Sequence, residues 1–291
     1  MSGRVEGVGR VSDDPKWDLG RRRRLARILR PETGRGVVVA LDHGLFIGPL
    51  PKLESVPETV RVVAAGQPDA IQLTPGATLA AGGELVGSGR PALVLRLDAT
   101  NLWRPQPRPH PTYHAQVASP ADGVRLGADA VVCFLFVGYE DDTVEQANLE
   151  RVAAWASQCR ELGMPLIVEP LGIRPDGSPV RDPEIVRLAV RMAWEAGADV
   201  IKADYTGDPE SFRSVVASVP VPVLVRGGPR TDTVRDSLAV VAETLEQGAA
   251  GVVFGRNIWQ QPNPAGGVRA IAHLCHEGGS VEGALRRVTE G

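Results

Sequence analysis

Cysteine is scarce. The 291 residues hold three, Cys133, Cys159 and Cys275, and no two of them are close in sequence. That spacing excludes a disulfide scaffold and argues against a zinc site, so no metal is expected. No apolar run approaches the roughly 20 residues that a membrane helix needs. The N-terminus has no apolar signal core. The expectation is therefore a cytoplasmic protein with no membrane partner. Neither sign of charge dominates: 32 Lys and Arg face 35 Asp and Glu, for a net charge of −3. Such a balance does not suit a protein that coats nucleic acid. A G-x-G-x-x-G fingerprint after the first strand candidate is also missing, which weighs against an open dinucleotide-binding sheet.

What remains is an ordinary globular composition, 43% hydrophobic and 23% charged. The length allows two average domains or one α/β barrel of about 250 residues. Residues 1–15 are polar and Gly-rich and read as a flexible lead-in, with 16–291 as one catalytic domain. The run Arg21, Arg22, Arg23, Arg24 is followed by Leu25, Ile28 and Leu29 at helical spacing. It reads as the solvated face of a short N-terminal helix, with anion binding as the alternative.

From there one phrase repeats: a short β-branched run, a turn, then an amphipathic helix. Strands are expected at 37–41, 70–73, 92–97, 130–136, 166–168, 200–203, 221–225 and 251–254. Most are continuous apolar runs, as parallel strands buried on both faces should be. Helices are clearest at 142–162, 182–196, 231–247 and 264–277. Asp182, Thr231 and Asp208 with Pro209 supply starts, and Gly163, Gly197 and Gly248 supply stops. Eight strands alternating with helices predict a (β/α)8 TIM barrel, α/β in class, with an N-terminal helix. The proline-rich stretch 100–120 reads as a long loop after the third strand.

In such a barrel the reacting groups come from the C-terminal ends of the strands. Those ends carry Asp42-His43, Asp98, Glu169, Lys202, Asp204, Arg226-Gly227-Gly228 and Gly255-Arg256. Lys202 interrupts an apolar strand. A buried lysine is costly unless paired or held at a lowered pKa, and a lowered pKa makes it a nucleophile for carbonyls. A structural ion pair with Asp42, Glu169 or Asp204 is the alternative. Asp42 and Glu169 are the candidate acid/base groups. Gly227, Gly228 and Gly255, with Arg226 and Arg256, suit a phosphate at the recurrent site after strands seven and eight. His43 and Asp98 are candidate substrate contacts. His273 and His276, on the 264–277 helix, read as structural.

Several segments together resemble a known family. They are Leu41-Asp-His-Gly-Leu-Phe-Ile-Gly-Pro, Gly127-Ala-Asp-Ala-Val, Gly138-Tyr-Glu-Asp-Asp, Gly197-Ala-Asp-Val-Ile-Lys-Ala-Asp-Tyr-Thr-Gly-Asp-Pro, Val225-Arg-Gly-Gly-Pro-Arg-Thr and Val253-Phe-Gly-Arg-Asn-Ile-Trp-Gln. Over about 37–274 the chain resembles the class I, Schiff-base aldolases of the archaeal-type fructose-bisphosphate aldolase group. That group includes 2-amino-3,7-dideoxy-D-threo-hept-6-ulosonate synthase, whose branch the Asp-His-Gly-x-x-x-Gly-Pro stretch most resembles. The resemblance implies that Lys202 is the Schiff-base lysine and that Asp42 assists proton transfer. It also implies that Gly227, Gly228, Gly255 and Arg256 hold phosphate. Where the group carries a catalytic tyrosine on strand five, this chain has Leu171. Glu169 instead resembles the strand-five glutamate of the related tagatose-bisphosphate aldolases, whose strand-four lysine is here Val132 or Cys133. Neither acid/base set is complete.

The resemblance implies a metal-independent lyase on a phosphorylated ketose, with no cofactor beyond the covalent imine on Lys202. Dihydroxyacetone phosphate or a relative would be the donor, and an aldehyde such as aspartate semialdehyde the acceptor. Imine-dependent transaldol or acyl transfer, and a non-catalytic sugar-phosphate-binding oligomer, are the alternatives. A homo-oligomer is expected, with 264–277 and 100–120 as candidate contacts.

Overall fold

The computed structural model describes residues 17–104, 113–139, 141–174, 178–227 and 233–289. Residues 1–15, Gly228 and Thr231 lie outside them. The strands are β1 (Gly36–Ala40), β2 (Ala70–Leu73), β3 (Ala92–Arg96), β4 (Ala130–Val137), β5 (Leu166–Ile173), β6 (Val200–Asp204), β7 (Val223–Arg226) and β8 (Gly251–Phe254). Each pairs in parallel with its neighbours in chain order, and β8 pairs back onto β1. The sheet is closed, with helices between strands, so the expected (β/α)8 barrel is what forms. The helices Asp142–Leu162, Pro183–Glu195, Val234–Glu246 and Pro264–Glu277 lie where the periodicity puts them. A further helix, Val281–Thr289, packs on Pro264–Glu277. Among the described residues no helix is long and apolar enough to cross a membrane.

Alternation along each strand sorts the core into two layers. Val37, Val39, Ile71, Leu93, Leu95, Val131, Cys133 and Ile201 pack outward under the helices. Ala70, Ala92, Val94, Ala130, Val132, Ile167, Val200 and Leu224 point inward near the barrel's base. Several of these are small because the helix Leu19–Ile28 closes that end, inserting Leu25, Ile28 and Leu29 into the same cluster. One step further along the same inward faces come Gln72, Arg96, Glu169 and Lys202. The polar site is thus the upper continuation of an apolar core.

The arginine run is a solvated face only in part: Arg23 is exposed and Arg22 and Arg24 are half-buried, but Arg21 is not. Arg21 is buried and pairs with Asp199, Arg27 pairs with Asp129 at 2.9 Å and Arg30 with Asp69 at 2.6 Å. Asp69, Asp129 and Asp199 each immediately precede a strand. Each also accepts a neighbouring strand's first free backbone N–H, from Val37, Leu93 and Leu166 respectively. The helix and the residues just after it are stitched to three points on the barrel's base because an aspartate already stands at each.

The described residues of the stretch 100–120 are not all loop. Asp98–Thr100 and His114–Gln116 form a short antiparallel hairpin, and Ser119 caps the helix Pro120–Arg125 with a capping box. Residues 105–112, with Pro105, Pro107, Pro109 and Pro111, lie outside the described residues.

Candidate active site

The barrel mouth holds a cavity of about 240 Å³. Asp42, His43, Arg96, Glu169, Lys202, Arg226, Gly227, Gly255 and Arg256 line it, with Phe46, Ile47, Trp103 and Phe134 on one wall. Of the candidate site residues, Asp98 alone among the described ones is elsewhere. It is fully buried behind Arg96, where it accepts from Arg96, His114 and the Phe134 backbone N–H. It does not line the cavity.

Lys202 is buried on β6, with Nζ 2.9 Å from Glu169 Oε2 and 3.5 Å from Gln72 Oε1. Of the three carboxylates open as its partner, Glu169 is the one it meets. Asp204 is taken instead by Arg226, which donates from Nε at 2.9 Å and Nη2 at 2.7 Å. Burial lowers the Lys202 pKa from the ordinary lysine value; Glu169 and Asp42 oppose that fall and Arg96 reinforces it. Burial also acts to raise the Glu169 pKa, but Lys202, Arg96 and Arg226 outweigh it and hold the carboxyl below its usual range.

Arg96 is the residue sequence reasoning missed. It ends β3, is 1% exposed, and reaches Asp42 at 2.9 Å, Asp98 at 3.2 Å and Glu169 at 2.7 Å. Its guanidinium lies 4.0 Å from the Phe134 ring centroid. An arginine inside an apolar strand is the same signal that singles out Lys202. Gln72 joins the network by donating to Asp42 Oδ2 at 2.5 Å. Burial acts to raise the Asp42 pKa, but Arg96, Lys202 and His43 bring it down to about 2, so Asp42 stays ionised at neutral pH.

His43 turns into the cavity. Its ring packs edge-on to Trp259, with centroids 5.6 Å apart, and buried Nδ1 has no hydrogen-bond partner. Burial, with Lys202 and Arg256 against the opposing pull of Asp42, lowers its pKa to about 4, so the imidazole is neutral at pH 7. Gly255 admits that ring: a Cβ there would fall 2.4 Å from His43 Cε1. Asn257 donates to the Gly227 carbonyl at 2.9 Å and ties the β7 and β8 ends together. Arg256 is half-buried on the cavity wall. Burial, then Arg226, lowers its pKa, and it makes no ion pair among the described residues.

Leu171 is buried two residues beyond Glu169, in the aromatic cluster with Phe46, Phe134 and Phe136. Val132 belongs to the inner core and Cys133 to the outer one. Neither supplies a second cavity lysine. Among the described residues no three of His, Cys, Asp and Glu are grouped to hold a metal ion.

Comparison with known proteins agrees with this geometry. A family model described as DeoC/LacD family aldolase matches residues 36–261. An uncharacterized aldolase of Saccharolobus solfataricus is 40% identical over 92% of this chain and 98% of its own. The 2-amino-4,5-dihydroxy-6-oxo-7-(phosphonooxy)heptanoate synthase of Streptomyces griseus is 32% identical over 94% of this chain and 96% of its own. An archaeal fructose-1,6-bisphosphate aldolase, solved with its catalytic lysine bound to a carbinolamine, superposes with a TM-score of 0.74. It is 30% identical, over 87% of this chain and 98% of that one. A closed parallel barrel with a buried lysine at its mouth, matched over most of its length by these proteins, belongs to the DeoC/LacD family of aldolases, in its class I, Schiff-base branch.

Proposed function

We propose that this enzyme makes or breaks a C–C bond of a phosphorylated ketose through an imine on Lys202, with dihydroxyacetone phosphate or a close relative as donor. The observation that carries the reading is the Lys202–Glu169 contact of 2.9 Å inside a cavity that Arg256 also faces. Glu169 takes the Lys202 ammonium proton. The freed amine adds to the ketone carbon, and loss of water gives an iminium. That iminium draws electrons from the adjacent bond, so the chain's own lysine takes the place of an external cofactor. Glu169 then moves the remaining protons. Asp42, ionised throughout, holds Gln72 and Arg96 and positions substrate hydroxyls. His43, neutral, lines the same wall.

The phosphate sits against Gly227, Gly255 and Arg256. Gly228 is assigned to the same loop but lies outside the described residues. Arg226 is committed to Asp204, so it shapes this wall and leaves the direct contact to Arg256. Phosphate held here orients the carbonyl at Lys202. The reading includes a cytoplasmic location, which the free thiols of Cys133, Cys159 and Cys275 suit. It also includes a homo-oligomer: Tyr113 and Val117, on the hairpin, are 39% and 40% exposed.

Borohydride added with dihydroxyacetone phosphate tests the proposal. The intact mass should rise by one reduced donor, and no rise with any of several ketose phosphates would overturn it.

A further inference from the structure

The two sides of the cavity differ in chemistry. Gly227, Gly255 and Arg256 come from the ends of β7 and β8. Across the barrel mouth, Phe46 and Ile47 follow β1, Trp103 follows β3 and Phe134 lies on β4. Phe46, Trp103 and Phe134 form a closed triangle of rings, with centroids 5.3, 5.5 and 5.3 Å apart. The wall is built in place. Trp103 is carried on a segment pinned by Asn101 Oδ1, which accepts from Tyr113 N, and by Thr100 Oγ1, which accepts from Leu102 N. Arg96 is the charge nearest to it, and all three of its nitrogens are engaged by Asp42, Asp98 and Glu169.

We infer that this wall receives the acceptor, and that the acceptor is an aldehyde bearing an apolar, aromatic-sized group. The inference rests on the proposed imine chemistry and names the second substrate of that site. A donor anchored by its phosphate at β7 and β8 and bonded to Lys202 on β6 directs its nucleophilic carbon towards the far side, where the rings stand. There the enamine carbon bonds to the aldehyde carbon, and the carbonyl electron pair moves onto oxygen, which takes a proton. Water then cleaves the iminium, releasing product and the Lys202 amine. An acceptor of the aspartate-semialdehyde kind would bring an ammonium and a carboxylate to a face with no unengaged charge among the described residues. Burying either group unpaired there is costly. A flat or branched apolar group instead gains ring contacts.

The test uses the full chain, dihydroxyacetone phosphate as donor, and phenylacetaldehyde, glyceraldehyde 3-phosphate and aspartate semialdehyde as acceptors, with borohydride trapping run in parallel. The expected result is trapping together with a kcat/KM for phenylacetaldehyde about tenfold or more above that for either polar aldehyde. That preference should fall about tenfold or more in Trp103→Ser, and also in Ile47→Ser, which changes a half-buried side chain on the same wall. Trapping with a smaller preference, or a preference that survives both substitutions, overturns the inference and leaves the Lys202 chemistry standing. No trapping overturns the imine reading, and the acceptor assignment falls with it.

Discussion

Glu169 presents a single carboxylate oxygen, Oε2, to Lys202 Nζ at 2.9 Å and to Arg96 Nη2 at 2.7 Å. The lysine's charge and the barrel's buried arginine therefore compete for one anion. Arg96 weakens the hold of Glu169 on the ammonium, and burial lowers the lysine pKa. The site keeps its nucleophile close to a base without locking it into a closed ion pair.

Glu169→Gln removes the base and the anion together. Glu169 raises the Lys202 pKa, so its loss lets that pKa fall further. Imine formation needs the neutral amine and so rises with pH up to that pKa. The acidic limb of the trapping rate should move to lower pH in the variant. Turnover should fall by about 10²–10⁴, as loss of a general acid–base group does. Trapping rates and kcat measured across pH check both halves.

Arg96→Met removes the partner shared by three buried carboxylates and leaves Asp42 with Gln72, Asp98 with His114 and Glu169 with Lys202. Breaking a buried ion network in this way costs about 3–5 kcal/mol. In the native protein Asp42 has a lowered pKa, so the stability it contributes is present above its unfolded value and is lost as pH falls towards about 2. In the variant the largest influence lowering the Asp42 pKa is gone, so that pKa rises back towards its unfolded value and stability should fall less steeply than in the native protein as pH drops below about 5. Thermal melts taken from about pH 7 down to about pH 3 read this directly, and parallel pH trends in the two proteins would count against it.

Arg256→Ala removes a cation that has no ion-pair partner among the described residues. Folding should be little affected. KM for a phosphorylated donor should rise about ten- to a hundredfold, the size of a lost charge-assisted hydrogen bond. Inorganic phosphate should lose its competitive inhibition in the same variant. Steady-state kinetics with and without phosphate check this.

At the barrel's base, Asp129→Ala and Arg27→Ala break the same pair with unequal effects. Asp129 also accepts from the buried Leu93 N–H, so its loss orphans a backbone donor and costs about 1–3 kcal/mol. The Arg27 side chain is 49% exposed, and its loss should cost under about 1 kcal/mol. Urea unfolding of both variants gives the comparison.

Much of this was legible in the chain. Eight apolar runs separated by helical stretches fixed the barrel, and their polar ends pointed to Lys202, Glu169, Asp42 and Arg256. What stayed hidden depends on partners far away in sequence. Arg21 looks like part of a solvated face until Asp199 is brought beneath it, and Arg27 and Arg30 further along meet Asp129 and Asp69 in the same way. Arg96 and Gln72 sit in short apolar strands like Lys202, but their use appears only when closure of the sheet faces them towards Asp42 and Glu169. Asp98 ends a strand as a site residue should, yet the hairpin turns it towards His114. Prolines masked that hairpin, because their local conformational limits say nothing about the segments flanking them.

Whether Lys202 forms the imine can be read cleanly from this chain. It has three lysines: Lys16, Lys52 and Lys202. Lys52 is exposed and donates to the Gln261 carbonyl, away from the cavity. Borohydride reduction in the presence of dihydroxyacetone phosphate, followed by peptide mapping, therefore gives a clear answer. One reduced donor is expected on the peptide containing Lys202, and none in Lys202→Ala. A donor mapped to Lys16 or Lys52, or labelling that persists in Lys202→Ala, would contradict it.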